Sequence, residues 1–318
     1  MQCYCCTGET KRSGSFRNRN GVVQRFRCLV CGKTFSETQP FDGLRIEQDK
    51  IVQITKLLVE GMGVRAAARL TDCHIATVLN VIESVGNKCA DLLDKRIRNI
   101  KPDSLQLDEL WAKVACSQHR AASADRERGD FYTFLAIESR TKLIVSHYTG
   151  KRDSQSTDCF VADLAERVTG TVQITCDGWA AYPDAIRSHL LGRLHLAVMQ
   201  KNYRSDGVQS DASRRYSPGE FIGVRVKTHA GAPHIDKIGT SFVERVNLTV
   251  RTHNRRFVRL GLGYSKKLEN HRHSVALFVA AYNFCKVHST LGTTPAVGAG
   301  LTDHVWTVRE LLEVESAA

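Results

Sequence analysis

No segment of this 318-residue chain is long and apolar enough to cross a bilayer: the run at 276–282 falls far short of the roughly 18 residues that a span needs. The amino terminus, Met1-Gln2-Cys3-Tyr4-Cys5-Cys6, is polar and lacks the apolar core of a secretory leader, so the expected residence is intracellular. A disulfide framework is not expected, because eleven cysteines are an odd number in a chain without a leader. Heptads that would zip two helices together are also missing. Charged residues, at 25%, are too few for wholesale disorder, and 42% hydrophobic residues supply a core. The length exceeds one comfortable core and predicts about two domains with a small appended module.

Acidic residues are outnumbered, 33 against 45 Lys and Arg, for a net charge of +12. Between residues 201 and 270 there are 14 Lys and Arg against 6 Asp and Glu, two-thirds of the net charge. An excess so concentrated favours a polyanionic partner, with nucleic acid first. A well-solvated basic surface is the alternative that charge alone leaves open.

The cysteine spacing says more than the count. Cys3 and Cys6, then Cys28 and Cys31, form two CxxC pairs separated by 21 residues, the spacing of a four-thiolate zinc site. Four sulfurs close the tetrahedron and leave no open position, so this Zn2+ is expected to be structural. A turn at 17–21 and a strand at 22–27 complete a zinc ribbon over 1–40, and Cys5 remains an alternative ligand to Cys3 or Cys6. Beyond Pro40, apolar stripes at Ile51, Ile54 and Leu58, then at 64–70, then at Ile75, Val78, Leu79 and Ile82 predict three helices. The tight turn at 71–74 makes 41–100 a helix-turn-helix, with Thr77 and Asn80 on the helix that would enter the major groove, and His74 and Ser84 beside them. A further helical segment is expected at 90–100.

After the break at Lys101-Pro102 the period shifts. Strands are predicted at 105–114, 131–137, 143–148, 172–177 and 193–199, with helices at 157–168, 179–190, 240–250 and 306–314. This order is mixed α/β. Asp108 falls inside the first strand of the set and Asp177 ends the fourth, where an unpaired carboxylate is costly and a divalent metal would relieve it. Glu244 is the third candidate, on a helix crowded with Arg245, Arg251, Arg255, Arg256 and Arg259. Glu109 is set aside because successive strand side chains face opposite ways. The basic stretch 201–238, with turns at 205–207 and 217–219, gives no periodicity and is expected to be a long loop.

Leu107-Asp108-Glu109-Leu110-Trp111, Thr175-Cys176-Asp177-Gly178-Trp179 and Phe242-Val243-Glu244-Arg245-Val246-Asn247 resemble the DDE triad of bacterial insertion-sequence transposases, closest to the family of insertion sequence one. That resemblance covers nearly the whole chain. It implies a ribonuclease H-like α/β (α+β) catalytic domain over 101–318, following the zinc ribbon and helix-turn-helix. It implies Mg2+ (or Mn2+) held by Asp108, Asp177 and Glu244, cleavage at element ends, and joining of 3′ hydroxyls to double-stranded target DNA. Arg251 would steady phosphate charge, Asn247 would orient substrate, and Arg255, Arg256 and Arg259 would bind DNA. Two ends must be brought together, so at least a homodimer is implied, in a bacterial cytoplasm at the nucleoid. A nuclease without joining activity and a catalytically dead zinc-dependent DNA-binding regulator are the competing readings.

Overall fold

The computed structural model describes Cys3, Cys6 and residues 8–18, 21–36, 44, 46–122, 125–204, 220–259 and 261–314. The expected turns at 205–207 and 217–219, Cys5, and Arg19-Asn20 of the expected hairpin lie outside these residues. Strands β1 (Thr10–Asn18), β2 (Gly21–Cys28) and β3 (Thr34–Ser36) form an antiparallel three-stranded sheet in that order. Asn18 stands opposite Gly21, so the chain reverses where the sequence predicts.

Helices α1 (Gln48–Val59), α2 (Val64–Leu70) and α3 (Ile75–Arg96) follow at the expected stripes. His74 caps α3 with its own ring, Nδ1 accepting the Ala76 N–H at 3.2 Å. The segment expected to be helical at 90–100 is so as far as Arg96, as the end of α3, which runs unbroken for 22 residues. Its one interior glycine has a packing role. A Cβ on Gly86 would come within 2.6 Å of the His273 Cα and 2.7 Å of the His273 carbonyl, so the absent side chain lets a second helix, α7 (Leu268–Phe284), cross at near contact. The helix α7 is buried along most of its length and so lacks the one-sided stripe that marks a surface helix.

The larger sheet is built from β4 (Leu105–Val114), β5 (Gly129–Glu138), β6 (Ile144–Gly150), β7 (Val172–Cys176), β8 (Leu194–Arg204) and β9 (Glu220–Ala230). Their spatial order is β6-β5-β4-β7-β8-β9, with β4, β7 and β8 mutually parallel and the other neighbours antiparallel. Helix α4 (Ser154–Arg167) leads from β6 to β7, α5 (Tyr182–Leu190) joins the parallel β7 and β8, and α6 (Ser241–His253) packs on β4 and β5. Short helices α8 (Pro295–Gly298) and α9 (Val308–Glu313) end the described chain. The fold is thus mixed α/β, with a cysteine cluster near the amino terminus.

The expected loop at 201–238 is corrected by β9, which pairs with an extended β8 from Leu196 to Arg204. Both strands leave the sheet here as an exposed ribbon, so burial imposes no clean alternation on them. A single buried cluster runs from Ile51 and Val78 through Leu105 and Ile174 to Phe278 and Leu312. No helix among the described residues is long and apolar enough to cross a membrane.

Candidate active site

Register places the first two acids side by side. The β4–β7 ladder pairs Leu105 with Ile174, Gln106 with Thr175 and Leu107 with Cys176, then stops. Asp108, inside β4, and Asp177, the residue that follows β7, come next, at the point where the parallel pairing stops. Asp177 turns the chain by accepting the Trp179 N–H on Oδ1 at 3.0 Å. Asp108 accepts the Glu109 N–H on Oδ1 at 2.8 Å and the Asn247 side-chain amide on Oδ2 at 2.7 Å. Asn247, expected to orient substrate, holds Asp108 by this bond.

Glu109 corrects the sequence reading. One carboxylate oxygen each from Asp108, Glu109 and Asp177 lie within 4.8 Å of one another. β4 is still paired with β5 here, Asp108 opposite Leu135 and Glu109 opposite Phe134, so alternation alone does not anticipate this approach. Like Asp108, Glu109 has both oxygens engaged. Oε1 takes the Arg152 guanidinium, from Nε at 2.6 Å and Nη2 at 2.5 Å, and Oε2 takes the Tyr182 hydroxyl at 3.2 Å.

The electrostatics follow from crowding. Burial first, then the charges of Asp177, Glu109 and Glu244, push the Asp108 carboxyl up to about 7. Burial and Asp177 raise Glu109 as well. Tyr182, fully buried beneath the three acids, is held far above the ordinary phenol range. Carboxylates crowded in this way favour a cation between them, and oxygen donors of this hardness suit Mg2+ or Mn2+.

Glu244 lines the same cleft, about 440 Å3, with Asp108, Asp177 and Lys201. Its carboxylate is outside the 4.8 Å group and is occupied: Lys201 pairs with Oε1, and the Thr240 hydroxyl donates to the same oxygen at 2.6 Å. Lys201 had no sequence signal, being one cation among many. Arg251 lies two turns beyond Glu244 on α6, half-buried, its pKa lowered by burial and by Arg259, and its Nε has no partner among the described residues.

At the amino terminus the Cys3 and Cys31 sulfurs stand 3.6 Å apart and those of Cys6 and Cys28 3.5 Å apart, with all four within 4.8 Å. The N–H groups of Val30 and Cys31 both donate to Cys28 Sγ at 3.4 Å. Those backbone donors, Cys31 foremost, pull the Cys28 thiol down to about 6, toward the thiolate that zinc requires. The four residues fit one Zn2+. Changing Cys28 and Cys31 together to Ser is expected to release about one equivalent of zinc per chain, read by elemental analysis. Full zinc retention in that variant would remove the assignment.

The expected DNA contacts divide. Arg255 and Arg259 are exposed, Asn80 is exposed on α3, and Thr77 is half-buried. Arg256 is corrected: it is 8% exposed and donates from Nη1 to Ser265 at 2.7 Å, and burial lowers its pKa to about 10. The cause is local, for Asn254 caps a 3-10 turn, accepting the Arg256 N–H at 3.2 Å, which sends Arg256 inward and Arg255 outward. A larger cavity of about 730 Å3 opens between α1–α3 and residues 253–278, away from the acids.

No protein-family model and no curated protein matches the chain. Among solved structures it is similar to a piggyBac transposase synaptic complex with hairpin DNA, with 12% identity and a TM-score of 0.38 over 83% of this chain and 69% of that one. A likeness at that TM-score is too slight to assign a family or an activity.

Proposed function

We propose that this protein is a DNA transposase of the DDE type that cuts DNA at element ends and joins the resulting 3′ hydroxyls to a target. The observation that carries the reading is the convergence of Asp108 and Asp177 at the open ends of paired parallel strands, with Glu244 across the same cleft. Further support for a ribonuclease H-like reading comes from the strand order β6-β5-β4-β7-β8, antiparallel then parallel. In this reading Asp108, Asp177 and Glu244 hold Mg2+ (or Mn2+), which when bound polarises the scissile phosphate and activates its attacker. Asn247 fixes Asp108 by its amide, and Lys201 keeps Glu244 neutralised until the metal arrives. Arg251, with an unpartnered Nε near Asp108, is suited to substrate phosphate.

Residues 1–40 serve as a zinc ribbon and 41–100 as a helix-turn-helix that together read the ends, Thr77 and Asn80 among the contacts, and 101–318 catalyses. The working form is at least a dimer, since two ends are joined in one event, and it acts on double-stranded DNA at the bacterial nucleoid. Incubating supercoiled plasmid with protein and Mn2+ tests the hydrolytic half: nicking is the expected result, and binding without nicking in either Mg2+ or Mn2+ favours the regulator.

Binding itself has a separate test. Replacing Arg255 and Arg259 together with Ala is expected to weaken DNA affinity across sequences and to reduce the slope of log K against log salt by about 2. The Arg256→Ala change is expected to lower the melting temperature and leave that slope alone. An unchanged slope in the double variant would take both arginines out of the interface.

A further inference from the structure

Arg152 sits between β6 and α4, immediately before Asp153, whose side chain caps α4 by accepting the Ser156 N–H at 2.8 Å. A helix cap on one side and a strand on the other fix its backbone. The side chain is fixed too. Glu109, only 3% exposed, holds Nε and Nη2, and the guanidinium lies over the Trp179 ring with its carbon 4.4 Å from the centroid. Trp179 is itself anchored by its indole N–H, which donates to the Thr157 hydroxyl at 3.0 Å. Tyr132 flanks the same guanidinium at 5.7 Å.

Such support exceeds what a surface ion pair needs. Nη2 lies 3.9 Å from Asp177 Oδ2, in reach of that acid without closing on it. Nη1 makes no bond among the described residues, and the side chain is 39% exposed. The guanidinium is thus held rigidly beside a cluster acid with a donor edge still free. A planar fork in that state suits a phosphate, whose non-bridging oxygens match its spacing.

We propose that Arg152 is a phosphate-contacting catalytic residue, binding a non-bridging oxygen of the phosphodiester at the acidic cluster, with Glu109 and Trp179 as its positioning residues. This rests on the nuclease and transposase reading of the same cluster. In the hydrolytic step the water oxygen bonds to phosphorus and the P–O3′ bond breaks. One water proton ends on the leaving O3′ and the other goes to solvent. Negative charge grows on the non-bridging oxygens in between, and a preorganised donor there acts on the transition state more than on the ground state.

The test is single-turnover cleavage with Mn2+ for wild type, Arg152→Ala, Arg152→Lys and Glu109→Gln, with DNA affinity measured in Ca2+ and Mn2+ affinity measured by calorimetry. Arg152→Ala is expected to slow cleavage about 100-fold, with Mn2+ affinity undiminished and part of the rate restored by added methylguanidinium. Arg152→Lys keeps charge without the fork and is expected to fall between. Wild-type cleavage by Arg152→Ala overturns the proposal alone. So does a slow variant whose Mn2+ affinity drops in step and which methylguanidinium does not rescue, since Arg152 then only shapes the acids. A wild type that binds DNA and cuts none overturns the enzyme reading and this proposal with it.

Discussion

Asp108→Asn or Asp177→Asn is expected to reduce Mn2+-dependent DNA cleavage by about a thousandfold or more, because the metal's share of transition-state stabilisation is several kcal/mol and each 1.36 kcal/mol is about tenfold. Both positions end the same ladder, so both substitutions remove a donor from one point in space. Affinity for DNA is expected to survive, since the surface arginines and α3 are distant in sequence and separately supported. Glu244→Gln belongs to the same series and also frees Lys201, whose ion pair is lost. Quenched-flow cleavage with parallel binding measurements checks the set. An Asp177→Asn enzyme that cleaves at the wild-type rate would show that the cluster is only structural.

The second large effect is on pH. Asp108 titrates at about 7 in the folded protein and near 3.8 when unfolded, so between these values the folded chain holds a proton that the unfolded chain has lost. Stability of the metal-free protein therefore falls as pH rises through this window. Asp108→Asn removes the buried anion and is expected to stabilise the metal-free protein by roughly 4 kcal/mol at pH 8, a gain that shrinks as pH approaches 4. Metal binding has the opposite sign. The proton must leave before Asp108 can ligate, so apparent Mn2+ affinity should climb about tenfold per pH unit up to 7 and level off above it. Calorimetry from pH 5.5 to 8.5 in buffers of different ionisation enthalpy reads both the slope and the released proton. A flat affinity across that range would mean that Asp108 does not bind the metal.

Much of this site was readable because it rests on strand ends and on cysteine spacing, which local sequence encodes. β4 begins and ends at the residues the sequence predicts, and Asp177 follows the short alternating run Val172-Gln173-Ile174-Thr175-Cys176, which forms a strand as expected. What the sequence hid is what depends on neighbours. Glu109 joins the cluster through its contacts with Arg152 and Tyr182, and Arg152 reaches it only because the fold brings the β6–α4 junction beside β4. One signal was available: a second acid on a buried strand calls for a cation. The strand β9 also left a trace in Ile222, Val224 and Val226, every second residue, though exposure on both faces diluted it. Arg255 and Arg256 are indistinguishable as letters, and only the Asn254 turn decides which one meets solvent.

The joining reaction separates a transposase from a nuclease built on the same cluster and from an inactive regulator. The most direct measurement offers the protein a 3′-hydroxyl oligonucleotide carrying the element end, a target plasmid and Mg2+, and looks for covalent oligonucleotide–plasmid products. Joined product is expected from the wild type and none from Asp108→Asn, Asp177→Asn or Glu244→Gln, each still binding DNA. Joined product from all three variants would contradict the transposase assignment, as would a wild type that nicks the plasmid and never joins.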